Sequence, residues 1–337
     1  MLLNRSFQKD ISEILGVEKV DFLENYHAKL HIGPFTPEND ANNVIALLVN
    51  GHTPVTNELM SSYPKLQVIS NHGVGLDHID ISSASTRGIL VYNTPDVLTG
   101  ATADIALALL LSSARKVVEG DKISKSSETK VFDSYYFGSE VHGQTVGIVG
   151  FGRIGQAIGK RCALGFDMKL LYHSRRRVSE EIEKISGNAT YYSSLEEMLC
   201  VCDFVIVAAP ATPETRNMFS FAQFKAMKKT AHFINIARGS LVDQEALSDA
   251  LEGNWIAGAG LDVTEPEPLS RDHRLLKCPN ITITPHVGSA TFSTRLKMAT
   301  LAIANLKRGL HKGVASIDKD GSIEAINKKE VDSIINS

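Results

Sequence analysis

Three side chains able to do acid–base or electrostatic chemistry stand at or just past short apolar runs in the second half of the chain. Arg238 follows Phe233-Ile234-Asn235-Ile236-Ala237 and precedes Gly239. Glu267 lies in the stretch after Gly258–Leu261, and His286 follows Ile281–Thr284 and Pro285. A guanidinium can grip paired oxygens and stabilise developing negative charge. An imidazole exchanges a proton near neutrality, and a neighbouring carboxylate stabilises its charged form. Singly, each also has a structural reading: Arg238 as a helix-cap partner, Glu267 as a loop carboxylate, His286 as a satisfied histidine.

Upstream, Thr145–Gly155 reads Thr-Val-Gly-Ile-Val-Gly-Phe-Gly-Arg-Ile-Gly, an apolar β-branched run that empties into a glycine turn before a helix-compatible segment. In a strand–turn–helix each glycine has a task. Gly150 permits the turn, Gly152 lets backbone amides approach a pyrophosphate, and Gly155 lets helix pack closely on strand. The helix N-terminus then meets the phosphates with its partial positive charge. In such units an acid about 20 residues further on bonds the ribose 2′-hydroxyl of NAD. Here the second strand, Lys169–Tyr172, runs into His173-Ser174-Arg175-Arg176-Arg177, with no carboxylate. A hydroxyl (Ser174) and guanidinium groups (Arg175, Arg176 and Arg177) suit a 2′-phosphate, which predicts NADP(H) in preference to NAD(H). A solvated basic turn is the other reading.

These residues need a frame. At 337 residues the chain exceeds the roughly 250–300 at which a single core stops growing, so two domains are expected. From Thr145 onward six short apolar strands alternate with helical stretches, the pattern of a doubly wound parallel sheet (a Rossmann fold). Strands are predicted at Val146–Val149, Lys169–Tyr172, Phe204–Val207, His232–Asn235, Gly258–Leu261 and Ile281–Thr284. Before it, strands at Val44–Val49, Leu66–Ser70 and Ile89–Tyr92 make a smaller α/β unit. Ala101–Val118 reads as one long helix, apolar on more than one face and therefore buried. Glu119–Gly143 reads as irregular, and Thr291–Gly309 as a second long helix that returns the chain to the first domain. The expected boundaries are 1–110 with 291–337 for a discontinuous, flavodoxin-like α/β substrate domain and 111–290 for the nucleotide domain.

A net charge of −3 argues against a nucleic-acid or membrane-surface partner, which calls for a basic excess. Cys162, Cys200, Cys202 and Cys278 lack zinc spacing and are expected to be reduced and structural. Met1–Asp10 lacks an apolar leader and no apolar run approaches 18 residues, which predicts a cytoplasmic protein.

Taken together, Gly150–Gly155, Asn235–Asp243, Gly260–Val263 with Glu267-Pro268-Leu269, and Pro285–Thr291 resemble the D-isomer-specific 2-hydroxyacid dehydrogenase family, from about Val44 to Leu310. Thr94–Thr99 and Gly288–Thr291 look most like its glyoxylate/hydroxypyruvate reductases, in the bacterial branch that also reduces 2-ketogluconate. The resemblance implies that Arg238, Glu267 and His286 are catalytic in NADPH-dependent reduction of small 2-keto acids, with His286 as the general acid. It implies that the amides of Val74 and Gly75, with Arg238 and His286, bind the substrate. Arg153 and Ile154 resemble pyrophosphate contacts; Ala209, Pro210 and Thr215 lie near the adenosine end; Ile236, Asp262, Gly288 and Thr102 lie at the nicotinamide end. It further implies a homodimer. Tyr135-Tyr136-Phe137 stand where many relatives carry tryptophan, and the tail beyond Leu310 has no family counterpart. A bulkier substrate such as 2-ketogluconate, and a dinucleotide-sensing, corepressor-like binding protein, remain open as alternatives.

Overall fold

The computed structural model describes residues 29–32, 41–51, 54–127, 131, 136–310 and 324–335. Met1–Asp10, Tyr135 and the tail up to residue 323 lie outside the described residues. The chain divides into two compact units, residues 1–98 with 291–337 and residues 99–290.

In the first unit, β1 (Lys29–Ile32), β2 (Val44–Val49), β3 (Val68–Asn71) and β4 (Leu90–Tyr92) form a parallel sheet in sequential order. β1 was not expected: it is a four-residue edge strand with a mixed polar sequence. Sequential parallel strands with right-handed crossovers place their connections on one face. The short helices Asn57–Ser61 and Ile81–Thr86 do lie there, over Leu47, Val49, Ile69 and Val91. The opposite face carries the alternate residues Ala46, Leu48, Val68, Leu90 and Tyr92, and the returning chain covers it with Ala299, Ala302 and Leu306 of the helix Phe292–Leu310. Ser70 Oγ donates to the Ala302 carbonyl (2.9 Å) and Asn305 Nδ2 to the Asn93 carbonyl (2.9 Å).

The last described element, Lys328–Ile335, docks on the same face through Ala325 and Val331. Its anchor is the buried Asn327, whose Oδ1 accepts from Val91 N–H (2.9 Å) while Nδ2 donates to the Ile89 carbonyl (2.8 Å) and Ser85 Oγ (3.1 Å). With Ile326 N–H on the Val91 carbonyl (2.7 Å), the tail satisfies backbone groups that β4 would otherwise expose at the sheet edge.

The second unit is a seven-stranded parallel sheet of β5 (Thr145–Val149), β6 (Lys169–His173), β7 (Thr190–Tyr192), β8 (Phe204–Val207), β9 (His232–Asn235), β10 (Gly258–Leu261) and β11 (Ile281–Ile283). Its order is β11-β10-β9-β8-β5-β6-β7, so the winding direction reverses between β5 and β8. Ligands of open α/β sheets collect at that reversal, outside the strand C-termini. The six expected strands are present; β7 is a short edge strand that three half-exposed residues conceal in the sequence.

The helix Thr99–Arg115 belongs to this unit, so the first junction falls at Leu98/Thr99 and not at residue 110 as expected. Ala103, Ala106, Leu109 and Leu110 are buried in its core with Ile234. The helix lies close on β10 because that strand is glycine-rich: a Cβ on Gly260 would sit 2.9 Å from Leu109 Cβ. Lys116, at φ +50°, breaks the single helix expected over Ala101–Val118, and a new one runs Val117–Ser124 into chain expected to be irregular from Glu119. Cys162, Cys202 and Cys278 are buried and Cys200 is exposed, and all four are free thiols. Burial pushes the Cys162 and Cys202 thiols up to about 12. Among the described residues no helix is long and apolar enough to cross a membrane.

His232 is 4% exposed at the start of β9, stacked on Phe204, with Nδ1 against Ser113 Oγ (2.8 Å) and Nε2 against Ser139 Oγ (3.0 Å). Burial lowers its pKa to about 4 from the ordinary 6.5. The folded state therefore binds fewer protons than the unfolded one below pH 6.5, and stability falls as pH drops from there, the full loss being reached near 4. His232→Gln should flatten the pH dependence of the unfolding free energy in that window by about 3 kcal/mol. An unchanged slope in urea titrations from pH 7 to 4 would overturn the assignment. Asn327→Ala removes three buried hydrogen bonds and leaves two backbone groups unmatched, which should cost about 2–4 kcal/mol; a loss under about 0.5 kcal/mol in the same assay would contradict the anchor.

Candidate active site

The glycine turn forms at the reversal point. Gly150 follows β5 at φ +91°, and a Cβ there would lie 2.5 Å from Ala209 Cα, at the end of β8. A Cβ on Gly155 would lie 2.1 Å from the Gly150 carbonyl. Both positions thus admit only glycine, one for conformation and contact, the other for the approach of the helix Arg153–Phe166 to β5. Gly152 differs. It is the N-cap of that helix, it is exposed, no side chain caps the helix there, and a Cβ would meet nothing within 4 Å. The helix amides therefore open on room for an anion, which is the fit that a dinucleotide pyrophosphate requires. Arg153 is exposed beside this opening; Ile154 is half-buried and packs into the core.

At the end of β6 the three arginines separate. Arg175 and Arg176 are exposed and Ser174 is half-buried, its Oγ donating to the Arg176 carbonyl (2.6 Å). Arg177 turns away into a two-pronged pair with Glu183, Nε to Oε1 at 2.8 Å and Nη2 to Oε2 at 2.7 Å. All three arginines are exposed, and Arg177 differs in that its guanidinium is engaged by a carboxylate. Pro210 and Thr215 share the turn after β8. Thr215 Oγ1 donates to the Pro210 carbonyl (2.8 Å) and accepts from Thr212 N–H (2.8 Å), so this hydroxyl shapes its own loop.

Glu267 and His286 are in contact, and the turn that carries Arg238 packs against the Glu267 loop. Asn235, fully buried at the end of β9, brackets the turn that follows: Oδ1 accepts from Ala237 N–H (3.0 Å) and Nδ2 donates to the Arg238 carbonyl (2.7 Å). Arg238 is half-buried, with Nη1 on the Ala237 carbonyl (2.9 Å). The next residue, Gly239, touches the loop of Glu267, because a Cβ there would lie 2.1 Å from Thr264 C. The Glu267 loop is held from two sides. Gln244 Oε1 accepts from Glu265 N–H (3.0 Å) and its Nε2 donates to the Glu265 carbonyl, while Glu265 itself pairs with Arg216 (3.2 Å). Thr264 N–H donates to Glu267 Oε1 (3.1 Å), and Glu267 Oε2 faces His286 Nδ1 at 2.9 Å.

His286 stands at φ +54°, an uncommon conformation for a non-glycine residue. Asp262, 2% exposed at the end of β10, holds it there. Its Oδ1 accepts from Thr284 Oγ1 (2.6 Å) and Val287 N–H (2.8 Å), its Oδ2 from Gly288 N–H (2.8 Å), and its own carbonyl from His286 N–H (2.8 Å). Thr102 is buried next to Gly288, where a Cβ would lie 3.4 Å from Thr102 Cγ2. Ile236 is buried, its amide on the Val207 carbonyl (3.3 Å). Asn235, Gln244 and Thr264 were not singled out from the sequence. Asn235 had a signal, a polar residue closing an apolar strand; Gln244 and Thr264 had none.

In the first unit, Val74 and Gly75 follow β3. The carbonyls of Gly73, Val74 and Gly75 accept from Thr94 N–H (3.0 Å), Asn93 Nδ2 (3.0 Å) and Asn71 Nδ2 (2.8 Å). In a trans peptide the N–H points opposite its carbonyl. Anchoring these three carbonyls turns the amides of Val74, Gly75 and Leu76 to the other side of the loop, an arrangement that suits an anion.

The model of the D-isomer specific 2-hydroxyacid dehydrogenase NAD binding domain matches residues 107–288. The glyoxylate reductase of Pyrococcus furiosus is 48% identical over 281 residues, spanning 79% of this chain and 82% of that protein. The glyoxylate/hydroxypyruvate reductase B of Citrobacter koseri is 43% identical over 260 residues, spanning 77% and 79%. Among solved structures, the NADPH-dependent glyoxylate/hydroxypyruvate reductase of Sinorhizobium meliloti, in complex with NADP and malonate, superposes with a TM-score of 0.75 at 34% identity over 86% of each chain. With identity of this degree over most of both chains, the chain belongs to the D-isomer specific 2-hydroxyacid dehydrogenase family of oxidoreductases.

Proposed function

We propose that the protein is an NADPH-dependent reductase of small 2-keto acids, converting glyoxylate to glycolate and hydroxypyruvate to D-glycerate. The observation that carries this reading is His286 Nδ1 held 2.9 Å from a carboxylate whose other oxygen is fixed by Thr264 N–H. A histidine tethered at Nδ1 presents Nε2 to the substrate. The carboxylate at that tether orients the ring, which can carry a proton to an oxygen that is becoming an alkoxide. Arg238 bonds the keto oxygen and the adjacent carboxylate oxygen, which polarises the carbonyl and fixes which face of the carbon is attacked. The Val74 and Gly75 amides receive the carboxylate. When bound at the turn Gly150–Gly155, the nicotinamide cofactor supplies the hydride.

Two observations support NADPH over NADH: no carboxylate stands after β6 to bond a 2′-hydroxyl, and Arg175 and Arg176 are exposed there. The Sinorhizobium meliloti relative is itself NADPH-dependent. The names of the relatives from Pyrococcus furiosus and Citrobacter koseri support glyoxylate and hydroxypyruvate as the substrates.

Cofactor absorbance followed with glyoxylate and hydroxypyruvate should show turnover, with kcat/KM for NADPH exceeding that for NADH by at least about tenfold. Comparable values would remove the cofactor preference, and no turnover with any 2-keto acid would remove the reductase. His286→Asn should lower kcat by about 10²–10⁴ with KM changed only a few-fold, since the alkoxide loses its proton source. A near-normal kcat would exclude His286 as the acid.

A further inference from the structure

Three adjacent guanidiniums repel one another, and a turn built from them has no single shape unless a counter-charge fixes it. The turn Ser174–Val178 has one. Glu183, on the helix Glu180–Ile185, is 7% exposed and takes both prongs of Arg177. Its Oε1 also accepts from Tyr172 Oη (2.7 Å), and Tyr172 Oη accepts in turn from Val178 N–H (3.1 Å). The start of the turn at β6, the exit at Val178 and the side chain of Arg177 are therefore tied to one carboxylate. Tyr172 lies stacked on Phe151 with ring centroids 4.2 Å apart, and Phe151 stands between Gly150 and Gly152. The same carboxylate is thus linked, through one ring pair, to the pyrophosphate turn. The guanidinium of Arg177, then the hydroxyl of Tyr172, hold the Glu183 carboxyl down to about 2, so it stays charged throughout the working range.

We propose that Glu183 is a positioning residue for cofactor choice: by clamping Arg177 and Tyr172 it fixes the Ser174–Val178 turn so that Arg175 and Arg176, and not Arg177, receive the 2′-phosphate. The inference rests on the NADPH reading above. It gives Arg177 a structural task, its charge paired with Glu183 although its side chain stays exposed, and leaves recognition to Arg175 and Arg176, whose guanidiniums Glu183 does not engage. A preorganised turn binds the phosphate without first spending free energy on ordering.

The test is isothermal titration of the full-length protein with NADPH and with NADH, for wild type, Glu183→Gln, Arg177→Gln and the double variant. The double variant leaves no buried charge without a partner, so it remains folded if either single variant does not. All three variants should bind NADPH about five- to tenfold more weakly, with NADH binding changed by less than about twofold. The double variant should be no worse than the singles, since both residues act through one pair. If Glu183→Gln tightens NADPH binding while Arg177→Gln weakens it, Arg177 is a direct phosphate ligand and the proposal is wrong. Equal weakening of both cofactors, or no change in either, would also overturn it, the first by assigning Glu183 a general structural role. A wild type that binds the two cofactors equally sinks the NADPH reading and this inference together, whereas a selective wild type with unselective responses in the variants sinks the inference alone.

Discussion

Two polar residues that close adjacent apolar strands, Asn235 at the end of β9 and Asp262 just after β10, hold the rest of the site in place. They are joined directly, Asp262 N–H donating to the Asn235 carbonyl at 2.9 Å. Taking an amide and a carboxylate out of water costs several kcal/mol unless each finds its partners. Here the partners are the backbone groups of the following turns. Asn235 meets Ala237 N–H and the Arg238 carbonyl; Asp262 meets Val287 N–H, Gly288 N–H and Thr284 Oγ1. The requirement to satisfy two buried groups therefore dictates the course of two loops, and those loops carry the guanidinium and the imidazole. His286 keeps its left-handed backbone because its own amide and the two after it are engaged by Asp262. The strain is offset locally, beside the residue that needs it.

A parallel sheet then gathers the chemistry at one edge. All seven strands of the second unit run the same way, so the residues just past each C-terminus share that edge: Gly150 after β5, Ser174 after β6, Ala209 after β8, Arg238 after β9, Asp262 after β10 and His286 after β11. Reversal of the winding between β5 and β8 opens the space in which a ligand can lie across those ends. Nothing in the side chains has to arrange this. Strand direction and crossover handedness fix it before any functional residue is chosen.

That division explains what the sequence disclosed. Buried parallel strands are continuous apolar runs, so six of the seven in the second unit were legible, as were the glycines whose conformations the turn demands and the three chemical residues at strand ends. β1 and β7 were not, because Lys-Leu-His-Ile and Thr-Tyr-Tyr hold no continuous apolar run to separate them from a loop. The break at Lys116 was hidden because a left-handed lysine leaves no compositional mark. Side-chain pairing was hidden most completely. Arg175, Arg176 and Arg177 are identical in type and consecutive, yet one is paired with a carboxylate of the following helix, and no spacing rule relates Arg177 to Glu183. The second unit's claim on the helix Thr99–Arg115 depended likewise on contact, between Leu109 and a glycine of β10, and contact is what a single sequence does not record.

The two places prepared for anions share one construction. At Gly152 the helix amides face outward without a side-chain cap, and at Val74 and Gly75 the amides are turned outward by anchoring every carbonyl behind them. Backbone donors fixed in this way need no reorganisation when charge arrives, and they carry no side chain to be displaced. They also read only charge and shape. A loop of outward amides suits any carboxylate alike, just as a glycine turn suits the pyrophosphate of either dinucleotide. Discrimination must therefore come from side chains beyond the common groups: for the cofactor, from the residues that meet or position the 2′-phosphate; for the substrate, from whatever surrounds the carbon chain past the keto group. The construction of the two anion places can stay fixed while those side chains change, because backbone anchoring separates the task of holding an anion from the task of choosing its owner.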